Sequence, residues 1–424
     1  MKGEEIEKLR HKLSKVFVPG EAIDKYELFS GRREQVVEVT NAIMQPGRHV
    51  VLFGDRGVGK TSLAKVLHEV LTSKGIHALA SKTINCDWSD NFSTLWHKTL
   101  CEIPVVATNP SPDDAVESLA DLLPENVTPN DVRRALTALV EPSIIVIDEI
   151  NRLQDQSTKI LLADTIKTLS DHSVDTTLIL IGVADAVDEL VAEHRSIERS
   201  LVQVRMPRMK KKELKEIIDI GLDKVSMGIE PSSKDMIARL SQGLPYYTHY
   251  LGLYAGYNTL DEERTLIKMV DVMGATARVV QNDYTVMSDF YKATRSSQKN
   301  FYEEVLIACA VTEPDDMGFF APADISFALS TIMGKPYYVN SYQRHLNEFS
   351  DSEQRGRVLH KIGVERNFRY RFADPLMQPF AILYGIAKGK IGANLLLETQ
   401  RRSPMEFEVI NGAYGDNAQE ELPF

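Results

Sequence analysis

The run HVVLFGDRGVGKT at 49–61 constrains the fold more than any other stretch. An apolar strand enters a glycine-rich turn that opens directly onto a helical pattern, TSLAKVLHEVL. Gly54, Gly57 and Gly59 let the backbone turn tightly, so that successive amide N–H groups point inward at phosphate oxygens. The N-terminus of the following helix adds a partial positive charge. Lys60 is placed to reach the β- and γ-phosphates, and the Thr61 hydroxyl suits Mg²⁺. The residues Gly54, Asp55, Arg56, Gly57, Val58, Gly59, Lys60, Thr61 and Ser62 therefore form a candidate phosphate cradle. Such a cradle needs a strand before it and a helix after it, which calls for an α/β fold.

A second element completes that site. SIIVIDEINRL at 143–153 is an apolar strand ending in two carboxylates, 88 residues after Lys60 when counted to Asp148. In a doubly wound sheet its end falls beside the cradle. Asp148 would hold Mg²⁺ through its water shell, and Glu149 would orient the attacking water. Together the two motifs point to ATP hydrolysis. The next buried strand, TTLILIGVAD, ends in Asp185 near the γ-phosphate, where like charges require a bridging water or metal. EHRSIERSLVQV then places Arg195 and Arg199 four apart on one helical face. An arginine there reaches a neighbouring subunit's phosphates, or pairs locally with Glu193 and Glu198. Spacing does not decide between the two.

The remaining sequence sets the setting. At 424 residues the chain is too long for one ordinary core. With 49 basic against 60 acidic residues the net charge is -11, which excludes a surface coated in nucleic acid but allows a local basic patch. Three cysteines without a CxxC pair argue against a disulfide framework or a thiolate zinc site. No apolar run approaches the ~20 residues of a membrane span, and the start alternates charge. A soluble, cytoplasmic protein without a membrane partner is expected. Residues 1–30 read as a charged helix and a lead-in, 31–208 as alternating strands and helices, and 209–292 as all-helical. Strands are expected at 49–54, 77–85, 143–149, 176–183 and 201–206. The proline-rich stretch 104–130 reads as a surface excursion. A third module follows at 293–389, and 390–424 reads as a mobile tail.

Within that module, 297–312, 321–334 and 339–349 read as helices, the last burying Tyr342, Leu346 and Phe349. RVLHKIG and RNFRYRF (357–363 and 366–372) read as a β-hairpin. Three helices and a hairpin make a winged-helix domain. From 341 to 371 seven Lys/Arg face four acids. Gln343, Arg344 and Asn347 lie off the buried face, toward base edges, and Arg366 and Arg369 toward phosphates or a minor groove. The alternative is a protein-interaction module with Arg369 and Arg371 in salt bridges. Cys309 reads as core.

With these parts in order the chain resembles an AAA+ ATPase, similar to initiator-type, origin-recognition-like ATPases and to bacterial STAND ATPases. The carrying residues are LFSGRREQV (28–36), the cradle, IIVIDE (144–149), LILIGVAD (178–185), the two arginines and LSQGLPYYTHYLGL (240–253). The fold class implied is an α/β, P-loop AAA+ parallel-sheet core with an all-α lid and a C-terminal winged-helix domain. The resemblance implies that Phe29 and Gly31 pack near adenine, that Asp185 sits at sensor one, and that Arg199 or Arg195 is the arginine finger. The lid departs from the initiator pattern, having Gly-Leu-Pro followed by Tyr246, Tyr247 and His249 where an arginine is usual. That pattern resembles the STAND branch, with Pro245 near adenine and His249 toward the β-phosphate. ATP and Mg²⁺, a nucleotide-dependent homo-oligomer, and either duplex DNA or a protein effector follow as expected partners, with slow or partner-stimulated turnover.

Overall fold

Three strands carry almost unbroken β-branched and leucine runs: β1 (His49–Phe53), β4 (Ser143–Asp148) and β5 (Thr176–Gly182). Such runs suit strands buried on both faces of a parallel sheet, and every residue of β4 and β5 is buried. The computed structural model describes residues 3–75, 79–80, 83–103, 118–183, 197–296, 300–315, 317–364 and 367–399. With β2 (Leu79–Ala80), β3 (Ile84–Asn85) and β6 (Leu201–Arg205), the strands form one sheet in the order β2-β4-β5-β1-β6, β3 also pairing with β4. All these pairings are parallel, with Val51 opposite Leu180 and Gln203. β5 therefore separates β1 from β4, and the carboxyl ends of all three share one edge.

The helices that cover this sheet are α2 (Arg33–Ile43), α3 (Lys60–Ser73), α4 (Phe92–Cys101), α5 (Pro129–Thr137) and α6 (Gln156–Asp171), after an N-terminal α1 (Gly3–Val16). Trp96, fully buried, joins Leu95, Leu100, Leu136 and Ile166 against Ile145 and Leu178 of the sheet. The expected strand at 77–85 is instead two short pieces, 79–80 and 84–85. The expected excursion 104–130 is only partly a surface loop. Leu119 and Val127 are buried, and Pro129 opens α5 capped by Thr128, a position where its missing N–H costs nothing. Residues 104–117 lie outside the described residues.

The chain divides into two compact units, one of residues 14–224 and 243–249, the other of 1–13, 225–242 and 250–424. Beyond the sheet come α7 (Lys211–Val225), α8 (Pro231–Leu240), α9 (Pro245–Asp261), α10 (Met269–Asn282) and α11 (Tyr284–Thr294). The stretch 209–292 is not purely helical. Gly228–Ile229 and Leu266–Ile267, β7 and β8, pair in parallel.

In the second unit, α12 (Tyr302–Val311), α13 (Ile325–Met333) and α14 (Val339–Asp351) precede an antiparallel hairpin of β9 (Leu359–Ile362) and β10 (Arg369–Phe372). Tyr342, Leu346 and Phe349 are fully buried, as the α14 spacing predicts, and His345 joins them. Cys309 lies in α12, whose residues Val305 to Val311 are all buried. A further helix, α15 (Met377–Ala387), packs against α10 and α12. The supposed tail begins with another helix, α16 (Ala393–Thr399); residues 400–424 lie outside the described residues. Among the described residues, no helix is long and apolar enough to cross a membrane.

Candidate nucleotide site

The loop between β1 and α3 closes around its own main chain. Gly54 has φ +153°, and a β-carbon there would lie 2.3 Å from the Met206 carbonyl oxygen, so only glycine fits. Gly57 (φ +80°) and Gly59 (φ +93°) continue the turn, and Gly59 is the N-cap of α3. Lys60 Nζ donates to the carbonyl oxygens of Gly54 (2.9 Å) and Asp55 (2.8 Å). Burial lowers the pKa of its ammonium against the pull of Asp148 and Asp55. A half-buried cation resting on two neutral carbonyls is short of negative charge, which an incoming anion would supply.

β4 delivers the carboxylate. Thr61 Oγ1 donates to Asp148 Oδ2 at 2.6 Å, and the Glu149 amide donates to Asp148 Oδ1 at 2.7 Å. Asp148 is only 3% exposed, and burial raises its pKa against those two hydrogen bonds. The two hard oxygens of Thr61 and Asp148 thus face each other one residue beyond Lys60. Glu149 leaves the strand with φ +58°, is exposed, and its Oε2 accepts from Arg152 Nη1 at 3.0 Å.

Two arginines missed in the sequence reading also belong here. Arg32, 2% exposed, donates through Nη2 to the Val58 carbonyl at 2.8 Å, tying the lead-in to the cradle. Burial lowers its pKa to about 10. Arg208, between β6 and α7, donates through Nε to Asp55 Oδ2 at 3.0 Å. Arg32 lies within the lead-in LFSGRREQV but Arg208 sits in no motif, and each reaches the loop only through the fold.

The other expected residues are placed as follows. Phe29 is half-buried at the end of a 3₁₀ turn, Tyr26–Leu28, and Gly31 (φ +70°) abuts Glu213, which also accepts from the Arg32 amide. Ser62 Oγ accepts from the Ile23 amide at 3.0 Å. Val58 is fully buried and Arg56 is exposed. The Pro245 ring lies 4.0 Å from where a β-carbon on Gly59 would stand. His249 is buried with its ring edge-on to Phe17, 5.9 Å between centroids, and burial lowers its pKa to about 4. Arg199 is exposed just before β6. Asp185 and Arg195 lie outside the described residues.

In the second unit the expected contact residues are partly occupied. Gln343 Nε2 donates to the Tyr370 hydroxyl (3.0 Å), and Asn347 Oδ1 accepts from Tyr370 and from Lys361 Nζ, both at 3.1 Å. Their amides are turned into the module, contrary to the expectation that both point outward. Arg344 stays largely exposed, with Nε on Glu348 at 2.7 Å, and Arg369 pairs with Asp315 at 3.1 Å. Arg366 lies outside the described residues.

Residues 28–181 match the family described as AAA ATPase domain. No curated protein matches the chain in sequence. Among solved structures, the chain is similar to Aeropyrum pernix ORC2 in ADPNP–ADP complexes, at 15% identity over 89% of this chain and 98% of that one, with a TM-score of 0.49. It is similar to a Walker-type ATPase, paby2304, of Pyrococcus abyssi, at 16% identity over 86% and 99%, with a TM-score of 0.49. It is also similar to Cdc6p from Pyrobaculum aerophilum, at 15% identity over 89% and 99%, with a TM-score of 0.43. Likeness at this level identifies neither substrate nor partner. The glycine cradle, its lysine and the Thr61–Asp148 contact all fall inside the matched segment, so the chain carries an AAA ATPase domain at residues 28–181.

Proposed function

We propose that the protein is an Mg²⁺-dependent ATP switch whose nucleotide state governs self-association and the engagement of duplex DNA. The observation that carries this reading is the 2.6 Å contact between Thr61 and Asp148, with the half-buried Lys60 ammonium beside it. Hard oxygens in that number suit Mg²⁺, which keeps several waters and takes its other ligands from phosphate. Among the described residues no cluster of three or more His, Cys, Asp or Glu offers a metal cage. When bound, the metal would neutralise charge developing on the phosphates. The loop amides and Lys60 would bind the triphosphate, and Thr61 and Asp148 would hold the metal. Glu149, once off Arg152, would orient the attacking water. Arg199, exposed ahead of β6, is offered to a neighbouring subunit, and Arg195 and Asp185 keep their proposed roles as second finger candidate and sensor.

The helices α12–α14 and the hairpin β9–β10 support a winged-helix reading, in which the largely exposed Arg344 would turn toward DNA by leaving Glu348, and Arg366 keeps its proposed role. A second reading, a STAND-like switch acting on a protein effector, is favoured by a specific observation. Gln343 and Asn347 are engaged inside the module, and Arg369 is paired with Asp315.

ATP turnover with and without duplex DNA, for wild type, Lys60→Ala and Glu149→Gln, tests both. Stimulation of the wild type by DNA that fades steeply with salt supports the first reading. Turnover indifferent to DNA, with nucleotide-dependent oligomers, supports the second. Glu149→Gln is expected to keep ATP and lose about 10²-fold or more in turnover; undiminished turnover would overturn its assignment.

A further inference from the structure

A polar cavity of about 560 Å³ opens in the second unit between α11, α14 and the turn Glu353–Arg355. Its lining carries Lys292, Arg295 and Arg355 against a single carboxylate, Glu348. That carboxylate is already used. It accepts from the Tyr302 hydroxyl (2.6 Å), from Arg344 Nε (2.7 Å) and from Arg355 Nε (3.0 Å).

Arg355 is fixed as well, its guanidinium 3.4 Å above the Tyr302 ring and its Nη1 on the Ala293 carbonyl at 2.6 Å. By that last bond it covers the negative end of α11, which would otherwise repel an anion. Lys292 and Arg295 differ. Both are exposed, and neither has an ion-pair partner among the described residues. Two uncommitted cations thus stand at the mouth of a hollow whose floor charge is balanced.

Size and chemistry narrow the occupant. The volume falls in the range of small-molecule sites and exceeds what a lone phosphate fills. Ser288 and Ser352 add neutral hydroxyls, and Tyr291, 43% exposed, adds an aromatic ring. A duplex presents an extended row of charge, whereas these cations converge on one concavity. We propose that this cavity binds a phosphorylated small molecule of mononucleotide size, its phosphate held by Lys292 and Arg295.

The site is independent of the cradle at Gly54–Thr61 and is tested with that cradle filled. The full chain, carrying one equivalent of ADP with Mg²⁺ in the cradle and freed of excess nucleotide by gel filtration, is titrated calorimetrically with AMP, with inorganic pyrophosphate and with a short DNA duplex. The expected result is AMP binding at one molecule per chain, weakened about tenfold or more in Lys292→Ala/Arg295→Ala. Thermal melts should be unchanged, since both side chains are exposed. The milder Arg295→Gln should weaken AMP in the same direction and covers the case of a misfolded double variant. No binding of AMP to the ADP-loaded wild type, equal affinity in the well-folded variants, or binding of the duplex alone would each overturn the proposal. Pyrophosphate binding as tightly as AMP would overturn the mononucleotide size.

Discussion

The nucleotide cradle and the helix–hairpin region both gather cations, and they hold them in opposite ways. Lys60 is half-buried on two neutral carbonyls, with Asp148 bonded to Thr61 rather than to the lysine. In the second unit Arg344 and Arg355 share Glu348, Arg357 pairs with Glu353, and Arg369 with Asp315. A charge left short of compensation marks a place for a ligand to complete. A charge that already has its carboxylate marks structure. The same residue type therefore predicts function in one region and stability in the other.

The largest effect separates the two roles. Lys60→Ala should abolish detectable ATP retention and lower turnover by about 10²–10³-fold, measured by nucleotide titration and phosphate release. Its partners are carbonyls that water can satisfy, so stability should change by about 1 kcal/mol or less. A variant that melts far below wild type would break the contrast, since Lys60 would then be structural.

The reciprocal change comes next. Glu348→Ala removes the acceptor shared by Tyr302, Arg344 and Arg355. Arg355, with a side chain only 15% exposed, loses its carboxylate. Denaturant unfolding should show a loss of about 2 kcal/mol, with ATP turnover per folded molecule unchanged. Unaltered stability would show these pairs to be incidental.

How much of this was legible in the sequence follows from the range of the forces involved. The cradle and β4 were readable because strand, turn and helix signals lie within a few residues of each other, and β4 is uniformly apolar. The helix α15, MQPFAILYGIA, went unnamed because it is apolar all round and carries no helical period. Prolines make the stretch 104–130 read as a surface excursion, although Pro129, at the first turn of a helix, is a starter. Arg32 and Arg208 could not be found, since their contacts with Val58 and Asp55 span 26 and 153 residues. Gln343 and Asn347 looked free on a helical wheel. Only the register of the hairpin brings Tyr370 and Lys361 onto them.

The finest test sets the two regions against pH. His49, buried in β1 with Nδ1 accepting from the Leu178 amide, has its pKa lowered by burial from 6.5 to about 4, as has His249. Unfolded histidines bind protons first as pH falls, so the stability these two give is complete above pH 6.5 and is lost on the way down to about 4. Glu348 is held down from 4.5 to about 2, chiefly by the Tyr302 hydroxyl and then by Arg344 and Arg355. Its contribution is complete above pH 4.5 and is lost only between there and about 2. The second unit also holds a buried histidine, His345, whose pKa burial likewise lowers, but the unit containing the sheet carries two and should therefore weaken more steeply over that range. Both tryptophans, Trp88 and Trp96, lie in that unit, so their fluorescence reports on it alone, while tyrosine near-ultraviolet circular dichroism also follows the other. Denaturant midpoints by tryptophan emission should fall more steeply between pH 6.5 and 4 than the tyrosine signal of the second unit. Coincident transitions at every pH would mean that the two regions unfold as one, and that their different handling of charge has no separate energetic consequence.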